Sequence, residues 1–154
     1  MRSILSHLNR LPKTDKMKSH LLTYANAAYH ERQEQLAKAY KNDFDKIYPF
    51  SPDNMLRVYP EFCELHAVIL ESPIGAGYCL WKPFLINELL KTIPAGDMLV
   101  YSDVGDTIIH PTELLLLCAE FRNILVQGYF PNGQWTKRDT FVLMDCDTPE
   151  YHHF

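Results

Sequence analysis

GDMLVYSDVGD, residues 96–106, sets four apolar residues, Met98 to Tyr101, between a Gly-Asp turn and a polar stretch carrying two carboxylates, Asp103 and Asp106. A short apolar run without alternation predicts a strand covered on both faces, the kind that parallel sheets contain. Just upstream, Phe84 to Ile93 is apolar on most sides and predicts a buried helix. Pro83 suits a first helical position, where a missing N–H costs nothing, and Pro94-Ala95-Gly96 stops the helix.

The same alternation runs through the chain. HLLTYA, residues 20–25, predicts a strand, and the polar HERQEQLAKAYKN after it predicts a helix with Leu36, Ala37 and Tyr40 on one side. KIYPF, residues 46–50, predicts a second strand cut by Pro49, and SPDN a turn. PEFCELHAVIL, residues 60–70, returns to helical spacing through Phe62, His66, Val68 and Leu70. Downstream, Pro111 opens a helix over TELLLLCAEF, with a strand expected at 124–127 and a helix at 136–143. Alternating strands and helices imply an α/β domain, its mostly parallel sheet flanked by helices. Residues 1–17 form a polar lead-in, and 18–154 read as one domain.

A chain of 154 residues that is 47% hydrophobic can bury a real core. Fifteen Lys and Arg against nineteen Asp and Glu, a formal charge of −4, argue against broad electrostatic capture of nucleic acid. Cys63, Cys79, Cys118 and Cys146 are widely spaced with no C-x-x-C, as expected of reduced thiols in a cytoplasmic protein. Arg10, Lys13, Lys16 and Lys18 interrupt the N-terminal stretch, so neither a secretory signal nor a membrane span is expected.

In open α/β sheets, ligands collect beyond the carboxyl ends of the strands, which is where Asp103 falls. Positions three apart on a regular strand face opposite sides, so Asp103 and Asp106 converge only if the chain bends, and Gly105 permits a bend. Two converging carboxylates need a cation between them, and a hard ion such as Mg²⁺ or Mn²⁺ also neutralises a nucleotide's diphosphate. The plainer alternative is a solvated polar turn. A third reading is a haloacid dehalogenase-type phosphatase, since an apolar strand, Asp103 and a following Thr107 are similar to that pattern; here the second acid stands one residue late, with Gly105 in its place.

The wider stretch G75-A-G77-Y78-C-L-W81-K82-P83, a helix, then Y101-S-D103-V-G105, resembles nucleotide-sugar-dependent glycosyltransferases of the GT-A type, which carry G-x-G-Y-W-x-W-K-P before a strand ending in Y-x-D-A-G. The resemblance runs from about Lys18, through HLLTYAN and WTKRD at residues 135–139, to about Tyr151. Cys79 stands where the family has an aromatic residue, and Gly105 where a strict D-x-D has its second acid.

The resemblance implies a Rossmann-like GT-A domain that moves a sugar from a UDP- or GDP-sugar to a glycan or other hydroxyl acceptor with the help of Mn²⁺ or Mg²⁺. A nucleotide-sugar-binding module without turnover is the alternative. It implies a donor site of Thr23, Tyr24, Ala25, Gly77, Tyr78, Lys82, Ser102 and Asp103, with Asp103 as metal ligand and Asp106, by proximity, as the second. Asp139 is the candidate base, although Thr136 and Asp139 equally suit helix capping. Relative to fuller members, the acceptor-side portion after DCDTPEYHHF is expected to be shortened.

Overall fold

In a computed structural model the structure describes residues 17–121 and 142–152. Packing divides the chain into two compact units, 1–122 and 123–154. In the second, the one complete helix described is Pro149–His152.

Three parallel strands, β1 (Ser19–Tyr24), β2 (Lys46–Phe50) and β3 (Met98–Tyr101), form a sheet in the order β2-β1-β3. Leu21 lies beside Ile47 on one flank and Val100 on the other, which fixes the register. β1 is central and wholly buried, as its run HLLTY predicts. Among the described residues β3 pairs only with β1 and is half-buried, so the two-sided cover expected of it is incomplete.

Period-two alternation in β1 feeds two cores. Leu21 points to α1 (His30–Ala39), where Leu36, Phe44 and Val100 close around it. Leu22 and Tyr24 point to the opposite face, against Trp81, Leu85 and Leu89 of α5 (Trp81–Thr92), with Phe50 and Met55. Helices on both faces of a parallel sheet are the layering that the strand–helix alternation implies. Right-handed crossovers require it too, since the chain leaves β1 for β2 by one face and returns to β3 by the other.

Several boundaries differ from the sequence expectation. SPDN opens a helix rather than ending in a turn: Ser51 caps α2 (Pro52–Val58), its side chain accepting from the Asn54 N–H while Asn54 returns a hydrogen bond to the Ser51 N–H. The helix expected over 60–70 is two short ones, α3 (Pro60–Leu65) and α4 (Ala67–Leu70), because His66 leaves helical geometry and its ring packs on Phe62. α5 starts at Trp81, so Pro83 is its third residue, still within the first turn where backbone N–H groups lack helical partners. Its apolar sequence does not bury it whole, since Trp81, Leu85 and Leu89 face the core while Leu90 is exposed.

Pro49 sits inside β2 without breaking it. The Phe50 carbonyl points toward β1, where it accepts from Ala25, so the main-chain groups of Pro49 point outward, and Asn54 Nδ2 donates to its carbonyl at 3.0 Å. α6 (Pro111–Phe121) follows β3, as Pro111 predicts. The strand expected at 124–127 and all but the end of the helix expected at 136–143 lie outside the described residues.

Candidate functional site at the carboxyl edge

Because the strand order runs outward from β1 in both directions, the carboxyl ends of β1 and β3 bound the crevice where chain direction switches. Asp103 stands two residues beyond β3, and its turn meets β1 through a hydrogen bond from Ser102 N–H to Leu22 O of 3.1 Å.

Lys82, in the first turn of α5, reaches the same place: its Nζ lies 3.3 Å from Asp103 Oδ2. The other carboxylate oxygen accepts from the Tyr101 hydroxyl. Tyr101 and Asp103 are two apart, hence on one side of an extended chain, which is why they meet. Burial, then the hydrogen bond to Asp103 and that carboxylate's charge, push the Tyr101 phenol far above its usual range, so it stays a neutral donor. Asp106 adds to the same effect and therefore acts on this cluster electrostatically. The Lys82 ammonium lies 4.6 Å from the Tyr101 ring centre and 5.7 Å from that of Trp81. Two aromatic faces thus flank a cation that is 31% exposed, beside a carboxylate that is 55% exposed.

What aims Lys82 is an unusual approach to α5. From Gly75 to Cys79 five successive residues have positive φ (57°, 48°, 90°, 53° and 59°), a turn of left-handed helix. The Tyr78 N–H donates to Ile74 O at 2.7 Å and the Cys79 N–H to Gly75 O at 3.0 Å. Glycine is needed at Gly77, where a Cβ would fall 2.7 Å from Leu70 Cα. The indole N–H of Trp81 donates to Gly75 O at 3.3 Å, tying the turn to the helix it precedes.

The residues expected from sequence divide into two groups. Lys82, Ser102, Asp103 and Asp106 come to the carboxyl edge of β3, with Ser102 buried and its hydroxyl bonded to Asp103 O. Tyr78 projects from the left-handed turn, 62% exposed, while Gly77 is buried beneath it. The side chains at the end of β1 are committed inward: Thr23 accepts from Gln33 Nε2 at 3.0 Å, Tyr24 stacks on Trp81 at 3.8 Å, and Ala25 is buried with its N–H on Phe50 O. Trp81 is core, as its sequence position before an apolar helix predicts. Asp139 lies outside the described residues.

Sequence reasoning missed two participants. Tyr101 was readable from its two-residue spacing to Asp103. Asn26, two residues beyond β1, has a buried Oδ1 without a hydrogen-bond partner, a feature that only coordinates reveal. An acceptor in that condition costs free energy until a donor N–H or O–H reaches it.

Asp103 and Asp106 are joined by a turn in which the Asp106 N–H donates to Asp103 O at 3.0 Å. Gly105 has no positive φ and nothing within 4 Å of where a Cβ would stand, so the bend does not require glycine. Among the described residues no group of three or more His, Cys, Asp or Glu side chains could hold a metal ion. A hard divalent ion takes only one or two carboxylates from protein and keeps water and phosphate oxygens in its shell; Asp103 faces Lys82 and Tyr101, whereas Asp106 lines a hollow on the α1 side. Comparison with protein-family models, with curated proteins and with solved structures returned no match.

Proposed function

We propose that this chain is a nucleotide-sugar-dependent glycosyltransferase of GT-A type, acting on a UDP- or GDP-sugar and a hydroxyl acceptor. One observation carries the reading: Asp103 stands beyond the carboxyl end of β3 at the switch point, paired at 3.3 Å with a Lys82 delivered from the start of α5. The β1 end supports it, since the orphan Asn26 Oδ1 suits an N–H of a nucleobase or a hydroxyl of a ribose.

In this reading Lys82 meets diphosphate oxygens, helped by the positive amino end of α5, and the neutral Tyr101 hydroxyl holds the Asp103 carboxylate in position. Asp103 would hold Mn²⁺ or Mg²⁺, and the ion would supply electrostatic stabilisation of the leaving diphosphate. The bond from the anomeric carbon to the diphosphate oxygen breaks, a bond from the acceptor oxygen forms, and the acceptor proton passes to a general base. Four unpaired cysteines, with the Cys63 and Cys118 thiols pushed up by burial, suit the cytoplasm as the setting. Among the described residues no helix is long and apolar enough to cross a membrane.

Calorimetric titration with UDP-sugars and GDP-sugars, with and without Mn²⁺, tests the site. Binding should be metal-linked in the native chain and lost in Asp103→Ala and Lys82→Ala; equal binding by all three proteins refutes the assignment. Donor consumption followed over time separates a transferase from a module that binds without turnover.

A further inference from the structure

A hollow of about 450 Å³ opens on the α1 face of the sheet, between Arg32, Leu36 and Tyr40 on one side and the segment from Val104 to Thr107 on the other. That volume is within the ~300–1,000 Å³ range of small-ligand sites. We propose that this groove binds a short neutral saccharide and, resting on the glycosyltransferase reading, that it is the subsite for the sugar acceptor.

Three observations carry it. Arg32 and Asp106 line the groove, and among the described residues neither has an ion-pair partner; the guanidinium rests only near the Tyr29 ring, 5.9 Å away. A cationic donor and an anionic acceptor, both exposed, suit a ligand whose hydroxyls both give and accept hydrogen bonds. A phosphate would instead face the Asp106 carboxylate, so the groove is chemically unlike the Lys82 side of the same loop. The exposed Ala39 and the half-buried Tyr40 ring add apolar surface for the C–H face of a sugar ring.

The groove is also built in advance. The Tyr40 hydroxyl accepts from the Ile108 N–H at 2.8 Å and donates to the Ile108 carbonyl at 3.3 Å, pinning the long connection after β3 to the end of α1. Little ordering is then left to oppose binding. Finally, the two compartments share a wall. Asp106 lines the groove and donates its N–H to Asp103 O at 3.0 Å. An acceptor hydroxyl placed there lies beside the reacting end of a donor held at Asp103.

The test is an amide and arginine side-chain NMR titration of the full chain with maltose, cellobiose and lactose, with inorganic phosphate, and with UDP plus Mg²⁺, run on the same sample. At least one disaccharide should shift Arg32, Gln35 and Thr107, phosphate should not, and Asp106→Asn and Arg32→Gln should each weaken binding about fivefold or more. Circular dichroism establishes that both variants are folded. If no disaccharide moves these resonances, if phosphate moves them equally, or if folded variants bind like the native chain, the inference is overturned. Shifts from UDP near Lys82 without any from disaccharides overturn it while leaving the donor site standing. Disaccharide shifts without UDP binding uphold the saccharide groove and overturn the transferase reading.

Discussion

Replacing Gly77 with alanine should unfold this domain more than any other single-methyl addition at a glycine described in the structure. Two costs add. A residue with a Cβ held in left-handed geometry loses roughly 1–2 kcal/mol, and Gly77 sits at φ 90°. The new methyl would also meet Leu70 Cα at 2.7 Å and Ile69 O at 3.2 Å, backbone atoms that cannot swing aside. Such overpacking costs about 1–3 kcal/mol. Stiffening the unfolded chain returns only about 0.4–1 kcal/mol. The net loss, on the order of 1–4 kcal/mol, lowers the urea midpoint by roughly 0.3–4 M at slopes of about 1–3 kcal/mol per molar, the range usual for small domains. Gly105→Ala makes the same chemical change where φ is not positive and no atom lies within 4 Å, so it should hold or raise the midpoint. Because the left-handed turn delivers Lys82, Gly77→Ala should also weaken UDP binding, and Gly105→Ala should not. Equal midpoints for the two variants in urea unfolding followed by circular dichroism would refute the account of the turn.

Further expectations follow from particular contacts. Asp97, hydrogen-bonded first by His20 and then by the Lys18 N–H, and Asp45, hydrogen-bonded by the Ser19 N–H and hydroxyl, both have carboxyl pKa values below the ordinary range. Their stabilisation is full above the unfolded carboxylate pKa, about 3.9, and is lost as pH falls through the depressed folded values; Asp45→Asn should flatten the acid limb of a stability–pH curve. Tyr24, pushed up to about 12 by burial and secondarily by Cys63, stabilises the fold fully below its unfolded pKa and loses that contribution as pH rises toward 12. Tyr24→Phe, which keeps the ring on Trp81, should remove that alkaline loss, as seen in unfolding curves measured between neutral pH and the alkaline limit. Tyr40→Phe strands the Ile108 N–H and carbonyl and should cost about 1–3 kcal/mol in thermal unfolding, while weakening any disaccharide bound in the neighbouring groove.

The parallel sheet was legible because its strands are short apolar runs set between helical spacings, and β1 reads as buried from HLLTY alone. Asp103 and Lys82 were legible for a different reason, since strand ends and helix starts are places where polar residues gather for ligands. The five left-handed residues were not. Two of them are glycines, which announce only that positive φ is allowed, while Ala76, Tyr78 and Cys79 adopt it because the Ser72, Ile74 and Gly75 carbonyls bind the turn's N–H groups. Nor was the inward commitment of Thr23, whose partner Gln33 lies on a mostly polar helix and is buried there by tertiary contact. Gly105 misled in the opposite direction: it permits a sharp bend, and the turn at 103–106 does without it.

The proline in β2 has a bearing on how copies of this protein behave toward one another. Among the described residues the outer flank of β2 pairs with no strand, and such an edge is a template on which a foreign strand can grow. At Pro49 the donor is missing by covalent structure and the acceptor is already taken by Asn54. A newcomer finds neither half of the pairing it needs near the carboxyl end of this border, so strand addition is hindered there at no expense to the ladder inside.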